Sequence, residues 1–195
     1  MKTTLSFGNL IRQLTASLRI LPVTVAICSG LYTVIILLAA QVAPFASSGS
    51  LIRSEKGLVI GSELIAQQFT QPKYFWPRPS AVSWNAASAG GSNLSPASLA
   101  MRQKAEKLIA PFMLKKGEKI PTDLVTSSGS GLDPHISIAA AKFQVSRVAR
   151  ARGLTIDQVM AVINNPANGK NTIPLLNESI VNVLQLNNSL DRLQK

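Results

Sequence analysis

Histidine and cysteine, the residue types most often used for catalysis and metal binding, each occur once in this 195-residue sequence. With one histidine the chain offers no His-rich metal site, and the one cysteine, Cys28, lies in a long apolar segment away from any partner for a catalytic triad. His135 follows Asp133 and Pro134, a context typical of a turn or a helix start. The nine acidic residues are scattered, and their spacing nominates no catalytic pair. The sequence therefore predicts a chain that is not an enzyme by itself.

A glycine-serine loop at residues 127–131 (SSGSG) is the segment best suited to hold a phosphate. Backbone N–H groups in such a loop can surround an anion, and Ser128, Gly129, Ser130 and Gly131 are the candidates for nucleotide binding. The loop lacks the lysine of a P-loop, and a glycine-serine turn before a helix is more often structural. The pair Gly90–Gly91 is expected to let the backbone turn or approach a neighbour closely.

Residues 71–96 are rich in proline, glycine, serine, asparagine and aromatic residues. Disordered linkers rarely carry so many aromatic side chains, so we expect an ordered irregular surface. Its aromatic side chains are either core residues or anchors for a partner protein. The candidate docking residues are Tyr74, Phe75, Trp76, Arg78 and Trp84.

One segment near the N-terminus has the length and composition of a membrane span. Residues 20–40 contain no charged side chain, and as a helix they would reach about 30 Å, the thickness of the hydrocarbon core. Pro22 is expected in the first turn, where its missing N–H does little harm. A cleaved signal peptide is the alternative, but the residues after the apolar run offer only poor cleavage sites. We therefore predict a retained transmembrane helix at residues 20–43.

The charges that flank this span predict its orientation. Lys2, Arg12 and Arg19 precede it and no acidic residue does, and positive flanks stay in the cytoplasm. The formal net charge is +11, of which this tail carries +3, so about +8 is left on the exported part. A basic exported domain favours acidic lipid headgroups or an acidic protein surface, whereas nucleic acid is not expected outside the membrane.

Residues 147–163 suggest a different class of protein, a membrane-tethered DNA-binding regulator. A helix, a glycine turn and a second helix capped by Thr155 form a helix-turn-helix pattern. Such a domain belongs in the cytoplasm, opposite to the predicted orientation. No basic residue lies between positions 156 and 165, where a recognition helix would read bases. Both observations make this the less favoured alternative.

The pattern of elements predicts an α+β chain in four parts. These are a cytoplasmic tail at residues 1–19, the transmembrane helix at 20–43, a tether at 44–50 and one compact extracytoplasmic domain of helices and short strands at 51–195. Short strands at 51–52 and 58–60 are expected to form a hairpin. A helix is expected to begin at Ser95 and Pro96 and to end or kink at Pro111.

Further along the chain, a strand-like piece is expected from residue 120 toward the glycine-serine loop. Helices follow at 137–152 and 156–164, the first closed by Gly153 and the second capped by Thr155 with Gln158 three residues on. A buried strand is expected at 180–186, before a short polar helical tail.

Seven segments, in order behind the span, carry a family resemblance: GSLI (49–52), GSELIAQQF (61–69), YFWPRPSA (74–81), GGSNL (90–94), DLVTSSGSGLDPHIS (123–137), RVARARGL (147–154) and VNVLQLN (181–187). With them, essentially the whole chain resembles the C subunit of the Kdp-type potassium-transporting P-type ATPase of bacteria and archaea. Ala66 stands where the family usually has glycine, and Gln185 stands where glutamate is common. The second departure questions any role assigned to a carboxylate there.

The resemblance implies a non-catalytic accessory subunit of a high-affinity potassium uptake pump in the cytoplasmic (inner) membrane. Its partners in the Kdp complex would be a channel-like potassium-binding subunit, an ATP-hydrolysing subunit and a small F peptide, besides the lipid bilayer. The family is described as a catalytic chaperone that raises the ATP affinity of the ATP-hydrolysing subunit, so ATP and potassium would be used by the complex. Because ATP is hydrolysed inside the cell, we expect this effect to pass through the span and the channel-like subunit.

Overall fold

A computed structural model of the chain describes residues 7–54, 56–114, 117–168, 171–173 and 178–194. The chain divides into two units, Met1–Gly49 and Ser50–Lys195. A long apolar helix lies in the first unit, and the second combines helices with two small β-sheets. The expected combination of an apolar N-terminal helix with an α+β body is therefore confirmed. Lys2, which contributes to the predicted orientation, lies outside the described residues.

Helix α1 spans Phe7–Ala40 and is long and apolar enough to cross a membrane. It contains a wider π-helical turn at Ala26–Leu31. Pro22 lies inside this helix, because the helix begins well before residue 20, so the expectation of a first-turn proline is wrong. Pro22 removes one backbone hydrogen bond, a loss that membrane helices tolerate. Thr24 Oγ1 donates to Ile20 O at 3.0 Å, as expected of a hydroxyl in a span.

The segment that follows contains a short helix α2 (Pro44–Ser47), and the second unit then opens with the expected hairpin. Strands β1 (Leu51–Arg53) and β2 (Val59–Ser62) pair antiparallel with an irregular register. Gly57 has a φ of +77° in the connecting turn, a conformation that favours glycine. The hairpin prediction is confirmed.

Helix α3 spans Leu99–Ile109 and is capped by Ser98, whose Oγ accepts the backbone N–H of Met101 at 3.2 Å. It therefore begins three residues later than the Ser95–Pro96 start that we expected. The residues after Pro96 form a turn first, and Ser98 has the extended backbone that an N-cap needs. A single 3₁₀ turn at Ala110–Phe112 contains Pro111 and ends the helix, as expected.

A three-stranded antiparallel sheet has the strand order β3-β5-β4, with β3 at His135–Ser137, β4 at Asn171–Ile173 and β5 at Glu178–Asn182. The strand expected near residue 120 is wrong, because Thr122–Leu124 forms a 3₁₀ turn. The strand expected to continue to residue 186 ends at Asn182. There the Asn182 side chain caps helix α6 (Val183–Leu193) by accepting the N–H of Gln185 at 3.1 Å.

Helices α4 (Ile138–Arg152) and α5 (Ile156–Asn164) match their predicted positions. Gly153 closes α4 in the left-handed conformation with a φ of +66°, and Thr155 with Gln158 forms a complete capping box at the start of α5. These helices pack with α6 and the sheet around the hydrophobic core. Its largest fully buried apolar side chains are Phe75, Ile136, Ile163, Leu186 and Leu190.

Candidate partner-docking surface

Two buried amide side chains hold the aromatic segment onto the core. Gln144 Oε1 accepts the N–H of Trp76 at 2.8 Å and its Nε2 donates to Trp76 O at 3.2 Å. Asn187 binds Phe75 in the same way, with distances of 2.8 and 3.0 Å. Each amide thus satisfies both backbone groups of one residue, as a neighbouring strand would. The segment is irregular but fixed.

Arg147 also holds the same segment. Its guanidinium lies 3.8 Å from the centre of the Trp76 ring, and Nη1 donates to Pro72 O at 2.6 Å and to Tyr74 O at 2.9 Å. Nη2 donates to Gln144 Oε1 at 2.6 Å. Burial lowers the pKa of Arg147 to about 10, so the group is protonated at neutral pH. The arginine therefore combines ring stacking with paired hydrogen bonds, a role that lysine cannot fill.

A second arginine ties the segment to the last helix. Arg152 is buried, and its Nε donates to Lys73 O at 2.6 Å while Nη2 pairs with Asp191 Oδ1 at 2.8 Å. The hydroxyl of Tyr74 donates to Asp191 Oδ2 at 3.2 Å. The side chains of Tyr74 and Asp191 are therefore fixed together, and α4, α6 and the aromatic segment form one assembly.

Arg78, Asp133 and His135 form a half-buried polar cluster. Arg78 Nη1 donates to Asp133 Oδ2 at 3.3 Å, and His135 reaches Asp133 Oδ1 through its backbone N–H at 3.0 Å and Nδ1 at 3.3 Å. Burial alone would raise the pKa of Asp133, but the His135 hydrogen bonds and the His135 and Arg78 charges outweigh it, so the pKa is lowered. His135 lies in strand β3, so the turn or helix-start position expected for it is wrong.

The glycine-serine loop packs against the Gly90–Gly91 pair. Gly90 N donates to Ser130 O at 2.8 Å, and a Cβ on Gly91 would lie 3.1 Å from Gly129 O. Gly131 has a φ of +68°. Strand β3 separates this loop from helix α4, so no helix N-terminus follows it directly. The close approach expected of Gly90–Gly91 is thus made to the chain's own loop, and nucleotide binding by the loop stays a prediction.

An apolar groove of about 320 Å³ opens beside the aromatic segment. Its walls are aromatic and proline side chains together with one turn of α3, and Thr70 and Lys107 are the two polar residues among those that line it. Trp76 and Phe112 meet edge to face with ring centres 5.2 Å apart. The other principal lining residues are Pro77, Pro79, Trp84, Leu108 and Pro111.

The five predicted docking residues differ in how they are placed. Phe75 is completely buried and belongs to the core, so we leave it out of any docking proposal. Tyr74, Trp76, Arg78 and Trp84 are partly exposed. Sequence reasoning missed Gln144, Arg147 and Asn187. Each of them forms a hydrogen bond with a residue of the segment that is between 68 and 112 residues away from it in the sequence. No local pattern indicates such pairings.

The helix-turn-helix alternative is not favoured by the placement of its charges. Arg147 and Arg152 turn inward onto the aromatic segment instead of forming a basic face. Helix α5 buries Val159, Val162 and Ile163. Its exposed residues include Asp157 and no lysine or arginine, so the helix presents no cationic side chain for phosphate contacts.

A metal centre has no set of ligands in the part of the chain that the structure describes. No group of three or more His, Cys, Asp or Glu side chains there is arranged to hold a metal ion. The apolar groove and the fixed aromatic segment beside it are the candidate docking features.

Comparison with known sequences shows the family. Residues 14–192 match the family described as K+-transporting ATPase, c chain (KdpC). A Potassium-transporting ATPase KdpC subunit from Parvibaculum lavamentivorans is 44% identical over 180 residues, covering 92% of this chain and 96% of the relative. Proteins of the same name from Geobacter sulfurreducens (41% over 187 residues, 93% and 98% covered) and Caulobacter sp. (45% over 178, 85% and 90%) are also similar. With a helix suited to span a membrane among the described residues and this match over both units, the chain is a membrane protein that belongs to the family of potassium-transporting ATPase KdpC subunits.

Proposed function

We propose that this chain is a non-catalytic accessory subunit of a high-affinity, ATP-driven potassium uptake pump, needed for assembly and stability of the complex. The observation that carries the proposal is the family match over residues 14–192, which covers most of the apolar helix and nearly all of the α+β unit. The names of the relatives make them subunits of a potassium-transporting ATPase. The proposed partners are the channel-like potassium-binding subunit, the ATP-hydrolysing subunit and the small F peptide.

In the proposed orientation, the N-terminus lies in the cytoplasm and the unit Ser50–Lys195 lies outside the cytoplasmic membrane. The sequence supports this orientation because the first acidic residue is at position 55, whereas Lys2, Arg12 and Arg19 precede the apolar part of α1. Lysine and arginine beside a span are retained in the cytoplasm. Nucleic acid is then not a partner, and acidic lipid headgroups or acidic protein surfaces are.

We further propose that the aromatic segment docks on the channel-like subunit. Support comes from its rigidity, since Gln144, Asn187 and Arg147 fix its backbone before any partner binds. A preorganised surface loses little conformational entropy on association, and partly exposed aromatic residues are the usual anchors of interfaces. Tyr74, Trp76, Arg78 and Trp84 are the proposed contact residues.

The proposed effect on ATP use is indirect. Outside the membrane, the loop at residues 127–131 would not meet cytoplasmic ATP, and its backbone is already engaged with Gly90–Gly91. An accessory protein that binds one conformation of the pump more tightly than another shifts the pump toward that conformation. If the two conformations differ in ATP affinity, the accessory protein changes ATP affinity without touching ATP. We propose that α1 and the channel-like subunit carry this coupling to the ATP-hydrolysing subunit.

Purification of the complex from membranes through a tag on the full-length chain tests this proposal. We expect the channel-like and ATP-hydrolysing subunits to elute with it in a constant ratio. The matched control is the tag on an unrelated single-span membrane protein expressed in the same cells. Elution of the chain without any other pump subunit would contradict the proposed function.

A further inference from the structure

Trp84 is held in a strained backbone conformation at the mouth of the apolar groove. Ser83 and Trp84 both have a φ of +54°, a region that bulky L-residues rarely occupy. Ser80 Oγ fixes the turn by accepting the backbone N–H groups of Val82 at 3.1 Å and Trp84 at 2.9 Å. Strain of this kind persists where the surrounding structure enforces it and is concentrated at ligand-binding sites.

The part of the groove lined by Trp76 and Phe112 is rigid. Trp76 is stacked by Arg147 on one side and contacts Phe112 in the groove, and Phe112 contacts Phe143 with ring centres 5.7 Å apart. Aromatic pockets that exist before binding are where interfaces concentrate their binding energy. The indole Nε1 of Trp84 is buried and has no hydrogen-bond partner among the described residues, which is unusual for a buried donor.

The charge of Lys107 beside the groove favours an occupant that carries a carboxylate. Lys107 is exposed, lines the groove and has no carboxylate within ion-pair distance among the described residues. With +3 of the net +11 on Lys2, Arg12 and Arg19, the unit that contains the groove carries about +8. An apolar groove with one lysine among its lining residues, on a basic unit, is complementary to an apolar side chain beside a carboxylate.

We infer that this groove binds an extended segment of another protein of the pump, which inserts a bulky apolar side chain beside Trp84 and pairs a neighbouring carboxylate with Lys107. The inference rests on the proposed function and names the chemistry of the docking partner. It also adds Leu108 and Phe112 as contact residues. Both lie outside the aromatic segment.

Photo-crosslinking in the assembled complex tests this inference. A Leu108→benzoylphenylalanine variant of the full-length chain is expressed with the other pump subunits, illuminated in membranes and analysed by mass spectrometry. We expect capture of one partner peptide with an aspartate or glutamate within about three residues of the captured residue, since an extended chain advances about 3.3 Å per residue. The matched control is Leu99→benzoylphenylalanine, at an exposed position of the same helix that does not line the groove.

Two substitutions then test the chemistry of the groove. Trp84→Ala should lower the capture at position 108 at least about tenfold, as for a central aromatic anchor. Lys107→Glu should lower it about threefold, and lysine in place of the captured peptide's carboxylate should restore it. Lys107→Glu changes only an exposed side chain, so the test stands even where Trp84→Ala fails to fold. Lys142→Glu, on exposed α4 surface, is the control and should change nothing.

The outcomes separate this inference from the proposed function. The inference is overturned if position 108 captures only lipid, a second copy of this chain, or nothing. It is also overturned if capture is normal in both Trp84→Ala and Lys107→Glu. If the pump subunits still elute with the tagged chain in those cases, the proposed function stands without the groove. If no pump subunit elutes with the wild-type chain, the proposed function itself has failed.

Discussion

Arg147 shows how one side chain fixes a surface that has no regular secondary structure. Its guanidinium stacks on Trp76 and donates hydrogen bonds to the carbonyl groups of Pro72 and Tyr74, which lie outside any strand. Gln144 and Asn187 complete the set from buried positions. At the residue scale, the rigidity of the proposed docking surface therefore depends on three polar side chains on helices and not on the aromatic residues alone.

We predict that Arg147→Lys lowers the free energy of unfolding of the second unit by about 2 kcal/mol, because lysine keeps the charge but loses the ring stacking and leaves a carbonyl unpaired. The sequence has two tryptophans, Trp76 and Trp84, so tryptophan fluorescence of the full-length chain in detergent reports urea unfolding of this unit. Arg150→Lys, at an exposed position of the same helix, is the control. Equal unfolding midpoints for the two variants would refute this role of Arg147.

At the scale of elements, the glycine-serine loop at residues 127–131 packs against the backbone of Gly90–Gly91. This is the loop for which the sequence left nucleotide binding open. A Cβ on Gly131 would lie 2.8 Å from Gly90 O, and Gly131 also has a left-handed φ of +68°. Gly129 in the same loop has no atom within 4 Å of such a Cβ. Alanine substitutions at Gly131 and Gly129 are therefore a matched pair. Comparing them separates the effect of local packing and backbone conformation from a general effect of removing a glycine from this loop.

We predict that Gly131→Ala destabilises the second unit by about 2 kcal/mol or more, from the left-handed conformation together with the clash against backbone. Gly129→Ala should change the free energy of unfolding by less than about 0.5 kcal/mol. Urea unfolding followed by tryptophan fluorescence measures both. A tolerated Gly131→Ala would show that the two segments do not pack as described.

The elements that the sequence predicts well are those whose signals are local. Gly153 ends α4, and Thr155 with Gln158 begins α5, all within a few residues of each boundary. The end of β5 was missed because the β-branched pattern continues through Val183, whereas the Asn182 cap starts a helix there. Pairings such as Phe75 with Asn187 join residues 112 positions apart and leave no periodic trace in the sequence.

At the scale of the whole molecule, the proposed function depends on which side of the membrane the second unit lies. We predict that a reporter that matures only in an oxidising exterior is active when fused after Lys195, because positive flanks hold the N-terminus inside. The same reporter fused after Arg19, before the apolar segment, is the control and should be inactive. Activity of a cytoplasm-only reporter at Lys195 would reverse the proposed orientation.

We propose that the pump needs this chain and that the chain itself does not hydrolyse ATP. The most direct measurement is potassium-dependent ATP hydrolysis in membranes from cells that express the other subunits with and without it. We predict that this activity is lost or unstable without the chain and restored by the full-length chain. Undiminished, stable potassium-dependent hydrolysis in membranes that lack the chain would contradict the proposed role.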